Sequence, residues 1–168
     1  MQPSMTIPAG GGPLRAALAA APPGATLRLS PGDHVGPFVV MADVTLCSRD
    51  LANPAVLRGG GEGSLLPIDG KGVTVTIHDL VLSGGGDTNA GGLIRIANGA
   101  ILSLERVTLR EGSANGYGGG GLFIRRGEVS LVDCTIERCS GRSGGGLLVA
   151  NDATLDAKGC VFVDNTAA

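Results

Sequence analysis

Charges recur at one spacing in this chain of 168 residues: Asp79, Arg106 and Asp133 stand 27 residues apart, as do Arg110 and Glu137, and Glu111 and Arg138. Two carboxylates facing one cleft are the tools of glycoside cleavage, one as acid and the other as base or nucleophile. Here each acid meets an arginine at the equivalent position, so the spacing predicts an acid–base ladder that pins register. A second group, Arg95, Phe123, Arg125 and Arg126, joins guanidinium groups to an aromatic ring. Guanidinium forks grip carboxylates through two parallel hydrogen bonds, so this is a candidate ligand patch for an anionic sugar. Its row Arg95, Phe123 and Leu148 should face outward, either as a small binding patch or, the preferred reading, as a surface covered by the glycine loops 112–118 and 140–143.

The remaining reactive side chains form no such group. His34, beside Asp33 in a turn, and His78, one position before the ladder, read as surface histidines with no serine or cysteine placed as a nucleophile. Cys47, Cys134, Cys139 and Cys160 lack the CxxC or Cys/His spacing of a zinc site and read as reduced thiols. Cys134 and Cys160 should stack inward, and Cys139, in a turn, should be the most exposed thiol. Phosphate-binding GxxxxGK[ST] and GxGxxG loops lead into helices, whereas the glycine clusters here lead into strands. No catalytic, cofactor or metal-binding residue is assigned.

What positions these residues is a repeated unit, a glycine cluster running into an apolar strand: Gly91 to Ile96, Gly119 to Ile124 and Gly144 to Val149. Between these copies lie Val75 to Leu82, Leu102 to Leu109, Val129 to Ile136 and Leu155 to Phe162, all of one length. A period of about 25 to 28 residues marks a solenoid, whose units bury their apolar faces only by stacking. Alternation of period 2 then puts Val75, Leu102, Val129 and Leu155 in one inward row, and Ile77, Leu104, Leu131 and Ala157 in another. Leu80, Val107, Cys134 and Cys160 make a third, and Leu82, Leu109, Ile136 and Phe162 a fourth. Ile94, Leu122 and Leu147, with Ile96, Ile124 and Val149, complete the lining.

The composition agrees. Hydrophobic residues are 43% of the chain, aromatics only 2% and tryptophan absent, so the interior must be built from Val, Ile, Leu and Ala. The 30 glycines lack the every-third spacing of collagen and serve tight turns. A net charge of −2 with no basic stripe excludes a nucleic-acid partner, and no segment reaches the roughly 20 apolar residues of a membrane span.

Residues 1–12 read as a flexible leader. No basic stretch followed by an apolar run is visible there, which makes the cytoplasm the default expectation. Residues 13–24 read as a capping helix, with Pro13 suited to a first turn, Leu14 and Leu18 on one face, and Pro22-Pro23-Gly24 as the stop. Residues 25–168 form the solenoid, of about six coils. Its last copy ends in Phe162, Val163, Asp164 and Asn165, and an uncapped coil exposes unpaired backbone groups. These four residues are the candidate oligomer interface, with self-association into a dimer as the expectation.

The stretch from Leu14 to Val40, with its Ala-rich helix, PPGATLRL and SPGDHVGPFVV, resembles the start of right-handed parallel β-helix proteins of the pectin-lyase-like class. The GGxLxI units and Phe162-Val163-Asp164-Asn165 are similar to the repeats of polymorphic outer-membrane and autotransporter-like passenger domains, with their FxxN. The resemblance implies an all-β, right-handed parallel β-helix. It also implies a search for the enzymes' tools: acidic calcium ligands beside an arginine base, or clustered aspartates with histidine. Neither arrangement is found.

The reading that follows is a non-catalytic structural or interaction scaffold. The alternatives are a carbohydrate-binding or carbohydrate-active domain of the lyase or hydrolase type, and a fragment of a surface adhesin.

Overall fold

The computed structural model describes residues 1–87 and 91–168. The chain winds as a parallel β-solenoid of about five turns, with one short helix near its N-terminus. All strand pairs within its four sheets are parallel and join successive coils.

Sheet I has seven strands: Ser4–Ile7, Ala25–Leu29, Val44–Ser48, Thr74–His78, Ile101–Glu105, Glu128–Val132 and Thr154–Lys158. Sheet II has six: Asp33–Val35, Val56–Arg58, Val81–Ser83, Thr108–Arg110, Thr135–Glu137 and Val161–Val163. Sheet III has four short strands, Gly86–Asp87, Ser113–Ala114, Ser140–Gly141 and Thr166–Ala167. Sheet IV also has four, Leu66–Asp69, Ile94–Ala97, Leu122–Arg125 and Leu147–Ala150.

The rows expected from alternation are present in register. Val75 pairs with Leu102, Leu102 with Val129 and Val129 with Leu155. The neighbouring row, Leu27, Leu46, Ile77, Leu104 and Leu131, is fully buried along five consecutive strands of sheet I. A parallel strand shows one face to the interior, and identical stacking carries each branched side chain onto its counterpart about 4.8 Å away.

Corners between sheets are made by one or two residues in the left-handed region. One column is Asp79, Arg106, Asp133 and Gly159, with φ of 59°, 51°, 51° and 65°. A second includes Glu111, Arg138 and Asp164, and a third includes Asn98, Arg126 and Asn151. The charge ladder therefore stands at a bend. A positive φ turns the chain sharply without breaking strand stacking on either side, and aspartate and asparagine bear that conformation best among residues with a Cβ.

The N-terminal segment differs from the flexible leader expected of it. Ser4–Ile7 pairs with Ala25–Leu29, Ser4 opposite Thr26 and Ile7 opposite Leu29, and Ile7 is buried. Alternating small polar and apolar residues suit an edge strand, and that strand covers the backbone groups the next one would expose. Helix α1 then spans Gly11–Ala20, starting two residues before the expected proline. Leu14 is fully buried, and Ala21 adopts an extended backbone because Pro22 follows it.

His34 is a second difference. Strand Asp33–Val35 turns it inward, fully buried, with Nε2 donating to the Ser30 carbonyl at 2.9 Å and Nδ1 left without a partner. Period 2 explains this placement: Asp33 and Val35 point out, and Asp33 takes Arg58 of the neighbouring strand at 2.7 Å.

Candidate functional site

The outer face of sheet IV gathers the candidate ligand patch. Arg95 stacks opposite Phe123, and Phe123 opposite Leu148, as the repeat alignment required. Pro67 precedes Arg95 in the same row. Arg125 lies one strand over from Arg95 and two residues along, so alternation returns it to the same outer face, where it is exposed. Arg126 does not join them on the strand. It forms the corner that follows, with φ of 52°, and its exposed side chain leaves from the edge of the sheet.

Phe123 is only 4% exposed although it faces away from the core. Two neighbours cover it. Tyr117 meets it edge to face, with ring centroids 6.1 Å apart and planes at 90°. On the other side runs the backbone of Gly91, where a Cβ would stand 3.1 Å from the Phe123 Cβ and 3.3 Å from the Arg95 Cβ. With φ of +79° as well, that position admits glycine alone without strain. Tyr117 itself is 61% exposed. It is the only tyrosine in the chain and stands in the loop before a glycine cluster, and that singularity was the one sequence signal for it. The patch thus consists of an upright, exposed tyrosine, braced by a buried phenylalanine, with Arg95 half-buried and Arg125 exposed beside it.

The charge ladder forms in part. Arg106 grips Asp79 through two hydrogen bonds, Nε to Oδ1 at 2.6 Å and Nη2 to Oδ2 at 3.0 Å. His78 Nδ1 adds a contact to Asp79 Oδ2 at 2.8 Å. The Arg106 bond, strengthened by His78 against the cost of burial, holds the Asp79 carboxyl at about 2. Arg106 also pairs with Glu105 on its own coil, and among the described residues it makes no ion pair with Asp133. Its single planar fork is already engaged.

Of the other two expected pairs, Glu111 with Arg138 forms and, among the described residues, Arg110 with Glu137 does not. Arg110 is in register with Glu137, yet Arg138 takes Glu137 at 2.7 Å and reaches Glu111 at 3.7 Å. Arg138 stands at the corner, within reach of both acids, and the Arg110 Nε is buried without a partner.

The thiols are all free. Cys139, expected to be the most exposed, is buried, and Cys160 is the accessible one. The turn that carries Cys139 is roofed by the next coil: Asn165 accepts from the Cys139 backbone N–H at 3.0 Å and donates to the Ile136 carbonyl at 2.8 Å. Asn165 is thus a side-chain bridge between coils. Of the expected interface, Phe162 and Val163 are exposed on the outermost strand of sheet II, Asp164 forms a corner, and Asn165 is committed inward. Among the described residues no three His, Cys, Asp or Glu side chains group as a metal site would require. Among the described residues no helix is long and apolar enough to cross a membrane.

No protein-family model matches the chain, and no curated protein sequence matches it. Solved structures similar to it include two alginate lyases. One is a PL6 family alginate lyase, AlyGC, with a TM-score of 0.61 and 16% identity, covering 95% of this chain and 28% of that one. The other is an alginate lyase from Paenibacillus sp. str. FPU-7, with a TM-score of 0.46 and 18% identity, covering 91% of this chain and 75% of that one. The chain spans about 28% of the length of AlyGC. The likeness establishes the architecture as a parallel β-helix. It also counts against the expectation of a non-catalytic scaffold, which rested on a missing motif, because the fold that this chain shares is that of a structure described as an alginate lyase.

Proposed function

We propose that the chain is a carbohydrate-active β-helix unit that binds an acidic polysaccharide along the outer face of sheet IV. One observation carries the reading: an exposed Tyr117 ring packs on Phe123, whose strand neighbour is Arg95 and whose own strand carries Arg125 two residues on. A tyrosine with one apolar face free offers a flat surface for the apolar side of a pyranose, and its rigidity keeps the entropic cost of binding low. Guanidinium groups beside it supply what a uronate needs, a charged fork that takes both carboxylate oxygens and neutralises them. Carboxylate neutralisation is also the electrostatic requirement of uronate elimination, in which negative charge builds on the sugar acid in the transition state. The GGxLxI and FxxN units, similar to those of passenger domains, serve here to build the coils that hold this face.

Titration calorimetry with alginate, polygalacturonate and a neutral glucan tests the reading. The two acidic polymers should bind, more weakly as salt rises, and the neutral one should not. Equal binding of all three, or of none, overturns it. Release of unsaturated uronate ends from either acidic polymer would add elimination to binding.

A further inference from the structure

We infer that the groove between α1 and the segment 37–42 is a binding site for a small amphiphilic carboxylate. The groove holds about 480 Å³ and is lined chiefly by Leu18, Ala21, Pro37, Val39 and Met41, with Arg15 as its one charged side chain among the described residues. That volume falls within the range of small-molecule sites, about 300 to 1,000 Å³, and the lining has their composition, apolar walls with one placed polar group.

Arg15 is fixed before any ligand arrives. Its Nε donates to the Pro37 carbonyl at 3.3 Å, and Nη2 donates to those of Val35 and Gly36 at 3.0 and 3.3 Å. The guanidinium carbon lies 5.7 Å from the centre of the Phe38 ring, which is buried beneath it. Carbonyl oxygens orient the fork without cancelling its charge, and Nη1 donates to no described residue. A preorganised cation with a spare donor, and with no acid in the lining, calls for an anion.

The rest of the groove calls for hydrocarbon. Val39 is 57% exposed and Met41 75%, both at the start of the outer face of sheet IV, where Val40 bridges to Ile68. Opposite them, Leu18 lies one helical turn from Arg15, so head and tail contacts come from one stripe of α1. A carboxylate on Arg15 would lay its chain between Leu18 and the pair Val39 and Met41. This site lies at the start of the face that carries the Tyr117 patch, with Pro67 between Val39 and Arg95 in the row, but it shares no lining residue with the patch and does not depend on it.

Calorimetry with decanoate, octanoate, hexanoate and decanol, each below its aggregation concentration, tests the inference. Decanoate should bind, with each methylene removed weakening it roughly threefold to fourfold, and decanol should bind at least about fivefold more weakly. Arg15→Gln should abolish the preference for decanoate over decanol, and Arg15→Lys should keep part of it. Val39→Asp, at an exposed position, should weaken both probes without lowering Tm. No decanoate binding at millimolar concentration, equal affinity for decanoate and decanol in the wild type, or an affinity unchanged in both Arg15→Gln and Val39→Asp would overturn it.

Discussion

Asp79 and Arg106 occupy the same corner of successive coils, and the arginine grips the carboxylate with two hydrogen bonds of 2.6 and 3.0 Å. Both have positive φ, so the pair ties together two bends that the backbone alone would hold weakly. In this contact the charge pattern of the sequence and the geometry of the coil meet.

The pair makes stability depend on acid. The Asp79 carboxyl is depressed from 3.8 to about 2, so its contribution is complete above about pH 4 and is lost as the pH falls toward 2. Asp79→Asn keeps a residue suited to positive φ and removes only the charge. It should cost about 1 kcal/mol at neutral pH, lowering Tm by about 2–4 °C. Thermal melts of both proteins should converge as the pH approaches 2, and a constant difference across that range would count against the pair.

For the sheet IV patch, Tyr117→Ala and Arg125→Gln should each weaken binding of an acidic polysaccharide by about fivefold to tenfold. Both side chains are exposed, so Tm should stay within about 1 °C of the wild type. Arg49→Gln, at an exposed position in a loop away from sheet IV, should leave binding unchanged. A loss equal to that of Arg125→Gln would reduce the effect to net charge.

Glycine substitutions should divide by location. A Cβ at Gly120 would stand 2.3 Å from the Ser140 carbonyl oxygen and 2.6 Å from that of Gly145, both backbone atoms of the next coil. Gly120→Ala should therefore destabilise by roughly 2–4 kcal/mol. At Gly12, in the first turn of α1, nothing lies within 4 Å of the added atom. Gly12→Ala should stabilise by about 0.5 kcal/mol through helix propensity, and denaturant titration of both variants measures the contrast.

The four thiols should react in two classes. Burial raises the thiol pKa of Cys47, Cys134 and Cys139, whereas Cys160 is accessible. A chromogenic disulfide added to native protein should titrate one thiol quickly and the other three only after denaturant is added. Cys160→Ser should remove the fast class, and a fast class that survives would place the accessible thiol elsewhere.

Much of the construction could be read from residue order. Alternation and a near-constant period specify which side chains stack, because a parallel strand has one inward face and a one-residue slip would expose the whole row. Thus Val75, Leu102 and Val129, and outside them Arg95 and Phe123, stand where the repeat assigns them. His34 escaped this reading because three residues between turns offer too little alternation to show which face is buried.

The chain order by itself determined the solenoid, its inward rows and the register that brings Arg95 beside Phe123, since these follow from a period of 2 repeated at fixed intervals. Only the tertiary structure decided that Arg138 rather than Arg110 would take Glu137, that Asn165 would roof Cys139, and that Tyr117 would stand over Phe123. Those outcomes depend on corner dihedrals and on how far a side chain reaches between coils, and neither quantity is periodic in the sequence.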